Sequence, residues 1–375
     1  MSSPLVFGYL TMMNEKRATD LYLTVGHPPA LRIEDRMEKL GDQALQSADL
    51  DEILNNILTL RQKREFETNM ELNSALDMGA YGRFRVNVMK QRQNPALVIR
   101  RIVSKIPDFV ELNLPPLFEQ LAMQKRGLIL VTGMTGSGKS TTLASMIDYR
   151  NRNSQGHIIT IEDPIEYHHE HQRSIISQRE VGVDTENYSI ALKNALRQRP
   201  DVILVGEIRD REVMEQALTA SETGHLCLAT IHTNNSYQAI QRVVNLFPEE
   251  QRHQICFSIA SNLKAIISQR LIPTIIPGQT IALEILLNEG HVRELIHDGK
   301  FSKIKDIIEA NQSAGMCSFD QSLLVLFEEG LISEETALSQ SDLPGDLMIK
   351  IKQVKMGAKV DVLTRLDIAG MKISD

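Results

Sequence analysis

A glycine-rich loop between a strand and a helix constrains the fold of this chain more than any other segment. The loop runs from Gly133 to Thr141 with the sequence GMTGSGKST; an apolar stretch at 128–132 precedes it, and a helical stretch that ends near Asn151 follows it. This order fits the phosphate-loop pattern GxxxxGK[ST] together with the flanks that the pattern requires. The alternative is a glycine-rich turn that meets a Lys-Ser pair by chance.

The residue types in this loop suit a nucleoside triphosphate. Backbone N–H groups converge on phosphate oxygens, and the helix N-terminus adds a positive end. Lys139 is expected to reach the β and γ phosphates, Ser140 to bind Mg²⁺, and Thr141 to support the α phosphate. The predicted phosphate-binding residues are Gly133, Met134, Thr135, Gly136, Ser137, Gly138, Lys139, Ser140 and Thr141.

Short apolar stretches around this loop alternate with helical segments. They span 128–131, 157–161, 202–205 and 226–230. Strands without polar alternation that are separated by helices are typical of a parallel sheet covered on both faces. The sequence therefore predicts an α/β fold in this part of the chain.

A carboxylate follows the stretch at 202–205. Glu207 ends the segment DVILVGE, and parallel sheets bind ligands at the carboxyl ends of their strands. We expect Glu207 to act on Mg²⁺ through water, since this ion gives up its water ligands reluctantly. An acid that only caps the next turn is the alternative.

A second acidic group ends the stretch at 157–161. Glu162, Asp163 and Glu166 lie within the segment TIEDPIE, and close carboxylates repel one another unless a cation offsets them. Pro164 ends the strand, so Glu166 is expected on a turn from which it can orient an attacking water. The alternative is an acidic turn on the surface.

Two histidines flank the stretch at 226–230. His225 and His232 are seven residues apart, and their odd spacing places them on opposite faces of a strand. We expect one or both to contact a phosphate or a carboxylate. A buried histidine of the core is the alternative for one of them.

Charge is unevenly distributed along the chain. The formal net charge is −7, yet the segment from Arg83 to Lys105 holds seven basic residues and no acidic one. Within it Phe84, Val86 and Val88 alternate with Arg83, Arg85 and Asn87, and a polar turn at 91–95 precedes the apolar run 96–99, which predicts a hairpin with both arginines on one face. The two interpretations are a phosphate-facing surface and a solvated basic face.

The chain divides into regions of different pattern. Residues 1–110 predict a small α+β domain with a helical start, strands at 21–25 and 30–33, a helix at 47–67 and the hairpin. Prolines between 105 and 116 indicate a linker, which we place at 111–125, before a nucleotide-binding domain at 126–288. A helical region at 289–338 and an extension at 339–375 follow.

Composition excludes several protein classes. No run of about 18 apolar residues is present, and the N-terminus lacks the features of a secretory signal, so we expect a cytosolic protein. Cys227, Cys256 and Cys317 are far apart and form no CxxC pair, which favours small core residues over structural zinc or disulfides. The acidic total argues against a general nucleic-acid binder.

Four segments in fixed order carry a family resemblance. GMTGSGKST, TIEDPIE, DVILVGEIRD and ETGHLCLATIHT resemble the Walker A, Asp box, Walker B and His box of the secretion and type IV pilus ATPases. DLYL with GHPP near residue 20, and GRFRVN at 82–87, resemble the retraction branch of that family, the PilT and PilU proteins of twitching motility.

The resemblance implies a fold, an activity and an assembly. It implies a PAS-like N-terminal α+β domain before a RecA-like ATPase domain, in a homohexamer that uses ATP and Mg²⁺ to retract pili. The ring is expected at the cytoplasmic face of the inner membrane, docked on the pilus platform protein, without nucleic acid. ATP is expected between the N-terminal domain of one subunit and the RecA-like domain beside it. Arg83, Arg85 and Arg100 match the family's arginine fingers, and Glu166 matches its general base; Glu162, Glu207, His225 and His232 complete the implied catalytic set.

Departures from the family pattern refine this expectation. The tetracysteine module usual in assembly ATPases is absent from the sequence, and the segment at 292–298 reads VRELIHD where PilT-type proteins carry AIRNLIRE. With the lysine-containing extension at 339–375, these features favour a PilU-like accessory ATPase that acts with a PilT-like partner. The extension is either a partner-binding segment or a solvated tail. A nucleotide-binding scaffold and a RecA-like or conjugation ATPase acting on DNA are the competing functions.

Overall fold

The computed structural model describes residues 5–33, 36–102, 105–310 and 315–356. Two units divide the chain. The first comprises the residues up to Lys105 together with Glu166–His168, and the second comprises Ile106–Ile165 and the residues from His169 onward. The part of the predicted extension beyond residue 356, which includes Lys359, lies outside the described residues.

The first unit contains an antiparallel sheet of six strands in its described residues, in the order β3-β2-β1-β6-β5-β4. Three helices accompany the sheet in this part of the chain. The strands are β1 (Asp20–Thr24), β2 (Ala30–Ile33), β3 (Arg36–Lys39), β4 (Glu71–Asp77), β5 (Arg83–Gln91) and β6 (Asn94–Ile102), and the helices are α1 (Leu5–Glu15), α2 (Ser47–Ile57) and α3 (Leu60–Asn69).

The predicted hairpin is confirmed in β5 and β6. Phe84, Val86 and Val88 are fully buried, whereas Arg83 and Arg85 are half-buried. The turn consists of Arg92 and Gln93, both with positive φ, and this geometry matches the twist of the two strands. Period-two alternation therefore predicted both the strands and the face that holds the arginines.

The helix predicted at 47–67 is two helices. Leu58 is extended, and Thr59 starts α3 by accepting a hydrogen bond from the backbone N–H of Gln62, whose side chain in turn accepts from the backbone N–H of Thr59. This reciprocal cap satisfies backbone N–H groups at the start of α3. In a continuous helix these groups would bond to carbonyl oxygens of the preceding turn. The Thr-x-x-Gln pattern is the local signal for the break.

The second unit contains a seven-stranded sheet in its described residues, in the order β13-β12-β7-β11-β10-β8-β9. All neighbours pair in parallel except β12 and β13. The strands are β7 (Gly127–Thr132), β8 (Gly156–Glu162), β9 (Ser174–Glu180), β10 (Val202–Val205), β11 (Leu226–Ile231), β12 (Leu263–Pro273) and β13 (Gln279–Leu287).

Helices accompany this sheet along the sequence. They are α4 (Leu117–Ala122), α5 (Lys139–Asn153), α6 (Tyr188–Ala195), α7 (Arg211–Glu222), α8 (Ser236–Asn245), α9 (Glu249–Asn262), α10 (Gly290–His297), α11 (Ile304–Ala310), α12 (Phe319–Glu328), α13 (Glu334–Gln340) and α14 (Pro344–Lys355). None of the helices in the described ranges is both long and apolar enough to cross a bilayer.

The predicted α/β class is confirmed, with a parallel-sheet domain after a smaller α+β unit. The central strands β7, β10 and β11 are buried along their whole length, as continuous apolar runs require when helices cover both faces. Three strands of the second unit lacked a clear signal, and β3 and β4 of the first unit were not predicted either. The edge strand β9 is largely polar, β12 follows α9 without a turn residue, and β13 lies at the end of the predicted nucleotide-binding domain, where no strand was predicted.

The region predicted as a linker belongs to the second unit. Leu117, Phe118 and Leu121 of α4 are fully buried in the core of that unit. The boundary between the units falls at Lys105, before the prolines at 107, 115 and 116. These prolines therefore precede or start a packed helix, which is a position that proline tolerates well.

We predict that Cys227 stays unmodified in the native protein. Its thiol lies fully buried in β11, and burial raises its pKa to about 12, so little thiolate is present at pH 8. Alkylation of the folded protein followed by mass spectrometry should label the partly exposed Cys317 faster than Cys227, and unfolding in denaturant should abolish the difference. Equal labelling of both thiols in the folded protein would contradict the packing of β11.

Candidate functional site

The loop Gly133–Thr141 links β7 to α5 through backbone angles that favour glycine. Gly133, Gly136 and Gly138 have φ values of 150°, 79° and 88°. A Cβ atom on Gly133 would lie 2.4 Å from Ser137 Oγ and 2.5 Å from the carbonyl oxygen of Gln269. Both distances are too short for any residue with a side chain. The glycines therefore permit the curled backbone that a phosphate cradle needs.

Polar groups inside the cradle suit an anion. The Lys139 side chain is buried, and its Nζ donates to the carbonyl oxygens of Gly133 and Met134 at 2.9 Å each. Ser137 Oγ is also buried and has no hydrogen-bond partner among the described residues. A confined ammonium group, an available hydroxyl and the N-terminus of α5 together fit a phosphate group.

A cavity of about 460 Å³ opens beside the loop. The loop residues from Gly133 to Ser137 form one wall, Gln269–Leu271 of β12 form another, and Ser339–Ser341 at the end of α13 close it. Its size is within the range of small-molecule sites. Residues far apart in the sequence thus line one space next to the phosphate cradle.

Glu207 lies beyond the carboxyl end of β10 and is the centre of an ionic cluster. Arg209 Nε donates to Glu207 Oε2 at 2.7 Å, and His232 Nε2 lies 3.2 Å from Glu207 Oε1. Arg209 Nη1 also lies 3.3 Å from Asp163 Oδ2, after β8. The carboxylates that follow two neighbouring strands are therefore bridged by one guanidinium, which offsets their repulsion.

Two residues of this region were not predicted from the sequence. Arg209 is the first, and its position two residues after Glu207 in the segment GEIRD was the available signal. Tyr188 is the second: burial raises the pKa of its hydroxyl, and the negative charge of Asp163 adds to the rise. No local pattern indicated Tyr188, because it starts α6 and reaches the acidic residues only through the fold.

The predicted acids of β8 and its turn differ in their surroundings. Glu162 ends β8, where its Oε1 accepts hydrogen bonds from Thr160 Oγ1 at 2.6 Å and Gln178 Nε2 at 3.3 Å. Glu166 is exposed, and its contacts place it with the first unit. The structure therefore gives Glu162 fixed partners and leaves the Glu166 carboxylate open to solvent.

The two predicted histidines lie at opposite ends of β11. His232 follows the strand and contacts Glu207. His225 precedes it, and His225 Nδ1 lies 3.0 Å from the carbonyl oxygen of Ala220. Since β11 has six residues, the two histidines are separated by about 20 Å, and His225 lies at the edge of the sheet opposite the loop. The structure does not bring His225 to the cluster. The whole length of β11 lies between the two histidines, whichever face of the strand each side chain is on.

The arginines predicted from the hairpin lie in the first unit. Arg85 and Arg100 are cross-strand neighbours in β5 and β6, and Arg100 Nε donates to the buried carboxylate of Asp20 at 2.7 Å. Arg83 Nη1 lies 2.8 Å from His168 Nδ1 within the same unit. Arg100 therefore has a structural partner, whereas no ion pair is recorded for Arg85 among the described residues.

Comparison with known proteins gives the same family from sequence and from structure. The model of the family described as Type II/IV secretion system protein matches residues 67–313. The Pseudomonas aeruginosa type IV pilus ATPase PilU is 44% identical over 92% of this chain and 90% of its own length, and the retraction ATPase PilT of the same organism is 39% identical over 89% and 97%.

A solved structure agrees with these sequence relatives. The pilus retraction motor PilT with bound ADP superposes with a TM-score of 0.86 at 40% identity, over 92% of this chain and 99% of that one. Agreement at this identity and coverage extends through both units of the chain. This protein belongs to the PilT/PilU family of type IV pilus ATPases, and it is a retraction-associated ATPase of twitching motility.

Proposed function

We propose that this chain hydrolyses ATP at the loop Gly133–Thr141, with Mg²⁺, as an accessory PilU-like motor of pilus retraction. One observation carries the proposal: the phosphate cradle after β7 and the cluster of Glu207, Arg209 and His232 after β10 and β11 lie at the same edge of one parallel sheet. This edge is where open α/β sheets bind their ligands.

The residues of the second unit have distinct roles in the proposal. Lys139 and the backbone of the loop hold the β and γ phosphates, and Ser137 Oγ donates to a phosphate oxygen. Ser140 would bind Mg²⁺ and Glu207 would act on it through water, and the bound ion would offset the charge of the phosphates. His232 contacts the Glu207 carboxylate and so helps to hold it beyond the end of β10. We do not assign a role in phosphate contact to His225.

The family resemblance supports roles for residues of the first unit. Glu166 orients the attacking water as general base, and Glu162, at the end of β8 in the second unit, is the other acid of the same segment. Arg83, Arg85 and Arg100 stabilise the negative charge that spreads over the γ phosphate of a neighbouring subunit's ATP, in a homohexamer. Of the three, Arg85 is the strongest candidate, because Arg100 already pairs with Asp20.

The comparisons favour the accessory branch and its setting. Identity to PilU exceeds identity to PilT, and the segment VRELIHD at 292–298 departs from the PilT-type motif. We therefore place the protein at the cytoplasmic face of the inner membrane, where it acts with a PilT-like ATPase on the pilus platform protein. The family match favours this setting over DNA processing.

One observation favours a second candidate function, a nucleotide-binding scaffold with little hydrolysis of its own. Both carboxylate oxygens of Glu207 have cationic or imidazole neighbours, Arg209 and His232. A carboxylate held in this way must change partners before it acts on a metal-bound water. A PilT-like partner would then supply most of the hydrolysis.

Replacement of Lys139 tests the phosphate cradle. We expect Lys139→Ala to lower ATP hydrolysis by at least about a hundredfold, because it removes the charged donor that stabilises the transferred phosphoryl group. Hydrolysis is measured as phosphate release with Mg²⁺ present and with Mg²⁺ chelated. Lys125→Ala, at the opposite end of β7, is the matched control and should keep wild-type activity. Equal rates for Lys139→Ala and wild type would refute the assignment.

Replacement of Arg209 tests the ionic cluster. Arg209→Ala removes the cation between Glu207 and Asp163, so the two carboxylates repel each other, and we expect kcat to fall by about tenfold or more. Nucleotide affinity should change little, because the loop is intact. Arg211→Ala removes a similarly exposed arginine that pairs with Glu215 on α7, and it should leave kcat unchanged. Similar losses in both variants would indicate a general effect of surface charge.

Replacement of Glu166 distinguishes the motor from the scaffold. If this chain is a motor, Glu166→Gln should abolish its hydrolysis and lower the retraction force or frequency in cells in which no other ATPase compensates. A scaffold should keep retraction at the wild-type level in the same cells. The measurement is pilus retraction in strains that carry the variant with and without the PilT-like partner, with equal protein amounts.

A further inference from the structure

A row of buried polar side chains crosses three neighbouring strands next to the phosphate loop. Thr132 of β7 pairs in register with Ser268 of β12, and Ser268 pairs with Glu284 of β13. The first two side chains are fully buried, and Glu284 is 5% exposed. The row is unusual because the neighbouring positions of these strands are mostly apolar.

Each end of this polar row holds the segment that follows His232. Thr132 Oγ1 donates to the carbonyl oxygen of Thr233 at 2.7 Å. Glu284 Oε1 accepts from the backbone N–H of Ser236, the first residue of α8, at 2.7 Å. The loop Thr233–Ser236 is therefore fixed from β7 on one side and from β13 on the other.

The middle of the row completes the network. Ser268 Oγ donates to Glu284 Oε1 at 3.1 Å, and it lies 3.1 Å from Ser236 Oγ. Burial raises the pKa of Glu284, and the hydrogen bonds from Ser236 and Ser268 oppose that rise. Burial of a carboxyl group lowers the stability of the folded state, so an apolar residue at position 284 would suit the core better. The hydrogen bonds of Glu284 to Ser236 and Ser268 therefore point to a role other than stability.

His232 is the residue that these contacts can serve. It directly precedes Thr233, and its imidazole lies 3.2 Å from Glu207 in the ionic cluster. The loop is anchored at Thr233, one residue after His232, and at Ser236, four residues after it. These anchors limit where the imidazole can lie. Movement of the loop would therefore change the distance between His232 Nε2 and Glu207 Oε1.

We propose that Glu284 is a positioning residue for ATP hydrolysis: with Thr132, it fixes the loop Thr233–Ser236 and so holds His232 against Glu207. The inference rests on the proposed function, because it gives that site its supporting layer. Glu284 touches neither nucleotide nor reacting atoms and acts through the loop.

A double-mutant cycle tests the proposed route. Glu284→Ala leaves the Ser236 N–H without its acceptor, so kcat of the full-length protein should fall by about tenfold or more. In a His232→Ala background the same change should lower kcat by less than about twofold, because the residue that it positions is already absent. Nucleotide affinity, measured with a fluorescent ADP analogue, should stay within about threefold of wild type, because the residues of the phosphate loop Gly133–Thr141 are unchanged.

Two variants separate positioning from stability. Glu284→Gln keeps an oxygen that can accept from the Ser236 N–H, so it should recover most of the wild-type kcat. Asn288→Ala is the matched control: Asn288 is also buried in the fold, and it bonds the carbonyl oxygens of Ala260 and Leu263, away from the loop. It should lower the melting temperature without lowering kcat, and its effects should be additive with His232→Ala.

A readout without hydrolysis keeps the inference apart from the proposed function. The rate at which diethyl pyrocarbonate modifies His232, followed by mass spectrometry, should rise in Glu284→Ala and stay at the wild-type level in Asn288→Ala. If wild type does not hydrolyse ATP, the proposed function fails, and this rate still decides whether Glu284 positions His232.

Additive losses in the cycle, or an unchanged modification rate in Glu284→Ala, would overturn the inference. If Glu284→Ala does not fold, Thr132→Val removes the other anchor of the loop at nearly constant volume. Coupling of Thr132→Val to His232→Ala would then support the positioning role of the polar row, and additivity would overturn it.

Discussion

Parallel pairing of β7, β11, β10 and β8 is the constraint on which the site depends. Parallel neighbours end at one edge of the sheet, so the residues that follow each strand meet there whatever their separation in sequence. The glycine loop follows β7, His232 follows β11, Glu207 follows β10 and Glu162 ends β8. Burial of these strands on both faces makes their register hard to change, because a slip by one residue would turn every side chain to the opposite face and disrupt its packing against the helices there.

The same edge explains why opposite charges accumulate beyond the strands. Carboxylates after β8 and β10 repel each other across neighbouring strands, and Arg209 lies between them. Cations or metal ions are needed in such a place, so an acidic edge next to a phosphate cradle suits a nucleotide with its metal. The chain's negative net charge and its basic hairpin are thus compatible, because the acids after β8 and β10 belong to the second unit and the hairpin belongs to the first.

Local patterns predicted much of the fold and part of the site. Alternation in β5, continuous apolar runs in β7, β10 and β11, and the loop Gly133–Thr141 each depend on neighbouring residues alone, and each was recognised. The edge strand β9 and the antiparallel β13 were missed, because their polar or uninterrupted sequences resemble loops and buried helices. The break between α2 and α3 was missed because a reciprocal cap outweighed a continuous helical periodicity.

The sequence by itself determined the phosphate loop, the parallel-sheet class and the family, because each is carried by residue types at short, fixed spacing. Only the tertiary structure decided which residues meet. It separated His225 from His232 by the length of one strand, placed Arg209 between two acids, and joined Thr132, Ser268 and Glu284 into one buried row. The last two outcomes depend on pairing between strands that are distant in the sequence, β8 with β10 and β7 with β12, and no local spacing encodes that pairing.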